Sequence, residues 1–297
     1  MNLPVFNLLP NEHLLSWLVR AYKLSGYSSF LNFQETLGFQ DRFLYSNQVF
    51  TPASKGVINL VKERDSLVRI HTVIPIWQVS VGQILEKNDF GLGHLGHASE
   101  MTHFGFGFDI SWHSCKKCRE YDLDKYGTTY WHSWHQLPSV LECYKHNRIL
   151  EKGKKSIRNL FKATLPHQVN AWEPIRLHIS KELSSWQSFV FKINEISHER
   201  PTIAASIKFQ LIELLGLNIE SSTIKSFICK LYSPHFESYL GPELIKHIFR
   251  NYTNLILEGR RDFLSMMFIH RSQTSLVRNP VYLIALAYWQ RANLNFD

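Results

Sequence analysis

Cys115-Lys116-Lys117-Cys118 and Cys143-Tyr144-Lys145-His146 form two tight pairs of soft donors, C-x2-C and C-x2-H, with 24 residues between them. A two-residue spacing sets both donors of a pair on one turn, and two such turns complete the tetrahedral shell that zinc prefers. The pattern predicts one structural zinc per chain, held by Cys115, Cys118, Cys143 and His146. The separation is a little long for a zinc ribbon. Tyr126, Tyr130, Trp131, Trp134 and Leu137 lie between the pairs as an aromatic filling, with 130, 131 and 134 read on one helical face that Pro138 ends. Two competing readings are plain buried thiols and a catalytic zinc, although four protein ligands leave no open position for water. If His146 is not a ligand, His113 or His135 takes its place and the site is open. Cys229 sits beside Phe227, Ile228 and Leu231 and reads as a core thiol.

Composition narrows the class. A 297-residue chain with 44% hydrophobic and 20% charged residues folds around one or two cores rather than staying disordered. The longest apolar run, Val281 to Trp289, falls far short of the ~20 residues that cross a bilayer, so no membrane partner is expected. Met1-Asn2-Leu3-Pro4 carries no basic start and Glu12 and His13 break the apolar stretch, which argues against a secretory signal and for the cytoplasm. Cysteines in a reducing compartment do not pair as disulfides. Thirty-three Lys and Arg against 25 Asp and Glu give +8, a balance suited to a phosphate-bearing partner.

Along the chain, Pro10-Asn11-Glu12 reads as a helix start with Asn11 as cap and Glu12 at the positive end of the dipole. Leu14, Leu15, Leu18 and Tyr22 recur at helical spacing and Gly26 ends that helix. Ser29 to Leu37 and Ser54 to Leu67 read as further helices. Ile70 to Trp77 is β-branched and contains proline, so strand and buried loop both stay open. Residues 88–114 read as a connector whose histidines 94, 97, 103 and 113 are solvated or bind a second metal. Lys152, Lys154, Lys155, Arg158 and Lys162 make a basic stretch. Ile203 to Leu215, a stop at Gly216, and Thr223 to Leu231 capped by Ser221 or Ser222 give helix, turn, helix. Helices around Pro242 to Leu257, Asp262 to Ile269 and from Asn279-Pro280 follow. The expected fold is mainly α: an N-terminal helical domain (1–114), a zinc module (115–150), a basic linker (151–173) and a C-terminal helical domain (174–297).

Catalytic signatures fail. Gly153-Lys154-Lys155-Ser156 lacks the glycine that a phosphate-binding loop needs six residues before its lysine. His198-Glu199 is not followed by the histidine of H-E-x-x-H. Ser114 rather than proline precedes Cys115, and no H-x-E lies upstream, against a deaminase. A zinc hydrolase or nuclease has no nameable general base, so no enzyme is expected.

Other residues carry a resemblance. Pro10, Glu12, Ser16-Trp17 and Arg20, the segment His71-Thr72 to Pro75-Ile76-Trp77, and Cys115-x2-Cys118 with Tyr126-Gly127, Tyr130-Trp131, Trp134, Leu137-Pro138, Cys143, Lys145-His146 and Leu150 are similar to the TniQ/TnsD family of transposon target selectors. The likeness is strong over residues 4–150 and one of helix pattern alone from about 200. Lys116 and Tyr144 stand where the family usually has proline, at positions that shape knuckles and bind no metal. The resemblance implies a non-enzymatic adaptor in DNA transposition, linking a target recogniser, for short members an RNA-guided Cascade complex, to the AAA+ regulator TnsC and the transposase. Double-stranded DNA and a second copy of the chain, as a dimer, are further expected partners. The alternative is a TnsD-like direct reader of an attachment site, through the helix-turn-helix-like 203–231 segment. Long TnsD-type members continue well past this length into the region that reads the site, so this chain either lacks that reader or is a cut form. Lys152, Lys154, Lys155 and Arg158, with Lys116 and Lys117 on the knuckle, are the candidate phosphate contacts.

Overall fold

A computed structural model describes residues 7–40, 56–58, 64–82, 84, 111–153, 163–175, 180–249, 263–268 and 280–296. It is mainly helical, as the sequence predicts. The chain divides into two compact units. One comprises Met1–Ile74, Lys87–Gly91 and Ile110–Ser180; the other comprises Pro75–Glu86, Leu92–Asp109 and Lys181–Asp297. The 115–150 module therefore shares a unit with the N-terminal helices, while Pro75–Glu86 joins the C-terminal ones. No described helix is long and apolar enough to cross a membrane.

In the first unit, the Leu14–Ser25 helix buries every residue from Leu14 to Ala21. Its cap differs from the one read in the sequence: His13, not Asn11, accepts the N–H of Leu15 through Nδ1 at 3.2 Å. Asn11 instead turns the chain with φ 56°. Glu12 is not in the first turn either. It is fully buried and takes Arg20 in a two-pronged pair, Nε to Oε1 at 3.0 Å and NH2 to Oε2 at 2.7 Å. Burial pushes the Glu12 carboxyl up, against the pull of Arg20. Gly26 ends this helix in the left-handed region, φ 74°, where a side chain would strain the turn.

Backbone bonds tie this start to a distant segment. His13 N donates to Trp131 O at 2.7 Å, Ser133 N to Asn11 O at 2.8 Å, and Trp131 N to Ser16 Oγ at 2.9 Å. His71, at the end of the Arg64–His71 helix, donates from Nδ1 to Glu12 O at 2.6 Å. The 70–77 segment left open between strand and loop is not a strand: its helix ends at His71, 72–74 make a buried turn, and Pro75–Trp77 forms one 3-10 turn. A three-stranded antiparallel sheet completes the unit, β1 (His113–Ser114), β2 (Glu151–Gly153) and β3 (Trp172–Pro174), in register His113 with Lys152 and Lys152 with Glu173. Part of the expected linker is thus sheet, built from strands too short to show alternation.

The second unit stacks the Lys181–Glu199, Pro201–Leu214, Ser222–Leu240 and Pro280–Trp289 helices, with short helices at Pro242–Ile248 and Phe263–Phe268. The Pro280–Trp289 helix buries Pro280 to Tyr288 on all sides, which is what its unbroken apolar run requires. Within this unit Gln78 Nε2 donates to Pro75 O and to Ser197 O, at 3.1 and 3.0 Å. Cys229 is a fully buried core residue.

Replacing Arg20 with Met leaves the Glu12 carboxylate buried without its cation, a change expected to cost about 3–5 kcal/mol. Urea titration followed by tryptophan fluorescence measures it. Adding Glu12→Gln to that variant is expected to recover part of the loss.

Candidate metal centre

Each donor is delivered by a separate piece of local structure. Cys115 occupies the N-cap of the Lys116–Tyr126 helix, and its carbonyl accepts Arg119 N at 3.1 Å. Cys118 lies in the first turn; with Asp122, four residues on, it is the buried face of that helix. The second pair sits in a tight hairpin, closed by Cys143 N to Arg148 O at 2.7 Å and Leu150 N to Leu141 O at 2.9 Å. Asn147 turns that hairpin at φ 46°, a conformation asparagine tolerates better than most residues.

The donors converge as their spacing predicts. The Sγ atoms of Cys115, Cys118 and Cys143 and one ring nitrogen of His146 all lie within 4.8 Å of one another. His146 Nδ1 is 3.6, 3.3 and 3.6 Å from the sulfurs of Cys115, Cys118 and Cys143, and Cys118 to Cys143 is 3.7 Å. A regular tetrahedron with metal bonds of ~2.3 Å to sulfur and ~2.0–2.1 Å to nitrogen has edges of ~3.5–3.8 Å. The cluster therefore fits a metal ion, and it is the one such cluster among the described residues. His146 is the fourth donor rather than His113 or His135. The histidines at 94, 97 and 103 lie outside the described residues.

Without a cation the three thiols compete. Hydrogen bonds from Cys118 and then Cys143 hold Cys115 far down, while donating to Cys115 drives Cys118 far up. The bond to Cys115 likewise pushes Cys143 up to about 11. A bound cation favours all three thiolates, so binding releases protons and falling pH reverses it.

The surrounding shell was not read from the sequence. His135 Nε2 lies 3.8 Å from Cys118 Sγ, and burial holds His135 neutral; a proton on Nε2 then donates to the sulfur. His132 Nε2 meets Asp122 Oδ2 at 2.8 Å. Gln136 clamps the His113 backbone, accepting from N at 3.0 Å and donating to O at 2.8 Å. The aromatics between the pairs do pack around the centre, but not on a helix: Ser133–Gln136 is a 3-10 turn, and Trp131, fully buried, lies 5.3 Å from Trp112 and 5.8 Å from Trp172. The helix lies earlier, at Lys116–Tyr126, where no apolar stripe announces it.

The predicted phosphate contacts divide. Lys116 and Lys117 are exposed, Lys117 within 3.3 Å of Glu120. Lys152 is half-buried on β2. Lys154, Lys155 and Arg158 lie outside the described residues. Arg119 is committed to the Glu151 carboxylate and to the Trp172 ring, 4.0 Å from its centroid.

A scan against protein-family models finds no match, and no curated protein matches the chain.

Metal analysis is expected to give one equivalent per chain, lost in Cys143→Ser together with a red shift of tryptophan emission as the cluster around Trp131 opens. His135→Asn is expected to keep the ion but weaken it ~10–100-fold in competition with a chromophoric chelator, the usual effect of losing an outer-shell donor.

Proposed function

We propose that the chain is a non-enzymatic targeting adaptor of the TniQ/TnsD kind, built around one structural zinc. It would link a target recogniser, in the favoured case an RNA-guided Cascade complex, to a TnsC-type AAA+ regulator and so to the transposase. A closed set of three thiolates and one imidazole suits zinc in a structural role and leaves no position for a reacting water. The observation that carries the family reading is that residues from three separate resembling segments interlock. Glu12 pairs with Arg20, Ser16 accepts from the Trp131 backbone, and His71 donates to the Glu12 carbonyl. Motif matches that are accidental have no reason to bond to one another across 115 residues of chain.

One observation weighs against the direct DNA reader. The helix-turn-helix-like segment is two helices, Pro201–Leu214 and Ser222–Leu240, the second longer than the Thr223 to Leu231 read in the sequence. The latter exposes Ile224, Phe227 and Leu231 at 46%, 67% and 54% along one face. A helix that reads the major groove offers polar side chains to base edges. An apolar face suits a protein partner instead.

The test offers TnsC, Cascade and candidate attachment-site duplex separately to the full chain in pull-downs. TnsC and Cascade are expected to be retained, with Phe227→Glu reducing capture of one of them at least tenfold. Retention of one duplex sequence alone, with neither protein held, replaces the adaptor by the direct reader. ATP turnover by the repurified chain would refute the non-enzymatic reading.

A further inference from the structure

A cleft of about 220 Å³ in the first unit opens onto the metal centre: Cys118 and Cys143 are part of its wall, while Cys115 and His146 are not. Tyr144, an exposed side chain, shares that wall with Trp134, and the two rings pack with centroids 5.0 Å apart. Both cysteines are otherwise buried, at 4% and 1% exposure, so a bulky reagent is kept from them. A small one is not. A water molecule takes about 30 Å³ of liquid, so a cleft of this size has room for hydrogen peroxide. The two sulfurs stand 3.7 Å apart. A disulfide bond is ~2.05 Å long, so a shift of about 0.8 Å by each sulfur joins them. All three sulfurs of the centre lie within 4.8 Å of one another. Distance therefore permits every pairing, and access through the cleft selects Cys118 with Cys143.

We propose that the metal centre is a site of reversible oxidation, in which hydrogen peroxide entering by this cleft converts Cys118 and Cys143 to a disulfide and so unloads the ion. One thiolate attacks a peroxide oxygen: an S–O bond forms as the O–O bond breaks, giving a sulfenic acid and a hydroxide. The second thiolate then attacks that sulfur, forming the S–S bond and releasing a second hydroxide. Two electrons pass from the pair of sulfurs to the peroxide, and two thiolates and one peroxide become one disulfide and two hydroxides. Cys115 and His146 remain as donors, half of the tetrahedral set that a structural zinc uses and too few to hold it. The new bond keeps the Lys116–Tyr126 helix, which carries Cys118, joined to the hairpin that Cys143 opens. The ligands therefore stay near one another, and exchange with a small thiol restores both thiolates and the site. The inference rests on the zinc proposed above and on none of the protein partners.

The zinc-loaded full chain is treated with hydrogen peroxide at neutral pH, and released zinc is followed with a chromophoric chelator. Release of the one equivalent is expected, in step with the loss of two hydrogen masses from the intact chain, and dithiothreitol with added zinc is expected to reload it. Trypsin cuts after Lys116, Lys117, Arg119 and Lys125, so Cys115, Cys118 and Cys143 fall on three different peptides. Mass mapping without reduction, after the remaining thiols are blocked in denaturant, therefore reads the pairing, and a Cys118–Cys143 link is expected. Tyr144→Ala removes a wall of the cleft but no ligand, and is expected to keep its zinc and to release it faster under peroxide, since oxidation follows exposure. Cys229, fully buried in the second unit, is expected to stay reduced throughout. Zinc kept at peroxide doses that oxidise glutathione overturns the proposal, as does a link made chiefly by Cys115 or a release no faster in Tyr144→Ala. Oxidation of Cys229 at the same rate as the centre overturns it too, because that marks unfolding rather than entry by the cleft. A chain without zinc before peroxide is added refutes the zinc reading itself, and this proposal with it.

Discussion

Three thiols and an imidazole whose donor atoms all lie within 4.8 Å of one another cannot all take their charged or donor-ready forms without a cation among them. Much of the first unit hangs on resolving that conflict. Cys115 starts the Lys116–Tyr126 helix, Cys118 is one of its two buried residues, and Cys143 opens the hairpin that leads into β2. A helix normally docks through an apolar stripe. This one buries Cys118 and Asp122 instead, so the Cys118 place in the metal-fitting cluster and the Asp122 contact to His132 stand where hydrophobic docking would.

Polar contacts join the N-terminal helices to this module: His13 N to Trp131 O, Ser133 N to Asn11 O and Trp131 N to Ser16 Oγ. Glu12 ties the N-terminal segments to one another: its side chain holds Arg20 and the N–H of Leu9, and its carbonyl accepts from His71. A buried pair of this kind adds little net stability over apolar residues of the same volume. What it adds here is selectivity, because Glu12 has one arrangement that satisfies its carboxylate and three partners that meet only in that arrangement. Ser16 and Ser133, accepting from Trp131 and donating to Ile70, extend the same logic to the aromatic interior.

What was legible in the sequence follows from how local the cause was. The ligand set is a two-residue spacing written twice, and the structure brings those four donors together. Helix ends that depend on one residue were legible too: Gly26 stops its helix, Ser221 caps the Ser222–Leu240 helix by accepting from Ile224 N, and Pro280 starts the last one. Readings failed where a pattern had a second explanation. Tyr130, Trp131 and Trp134 have helical spacing, but each is drawn to a different aromatic neighbour, His132, Trp112 and Tyr144, and the Lys116–Tyr126 helix does not resume before the 3-10 turn at Ser133. Asn11 precedes an apolar run as a cap would, yet the chain needs a positive-φ turn there to bury Glu12. The pairing of Glu12 with Arg20 spans eight residues across a helix start, a separation that no periodicity marks.

The basic residues around the knuckles have a local cause as well as a partner to meet. A divalent cation with three thiolates carries a formal charge of −1, and Asp122 sits close by, so nearby cations stabilise the loaded centre. Arg119 and Lys145, each next to a ligand in sequence, are engaged elsewhere, one between Glu151 and Trp172, the other over Tyr121. Lys117 is different. Its pairing with Glu120 is solvent-exposed on both sides, at 54% and 49%, and such pairs contribute only ~0–1 kcal/mol. A phosphate therefore displaces Glu120 from Lys117 at little cost, whereas taking Arg119 would strand a partly buried carboxylate and break a cation–π contact. Any nucleic acid that approaches this knuckle meets Lys116 and Lys117 and leaves Arg119 to the fold.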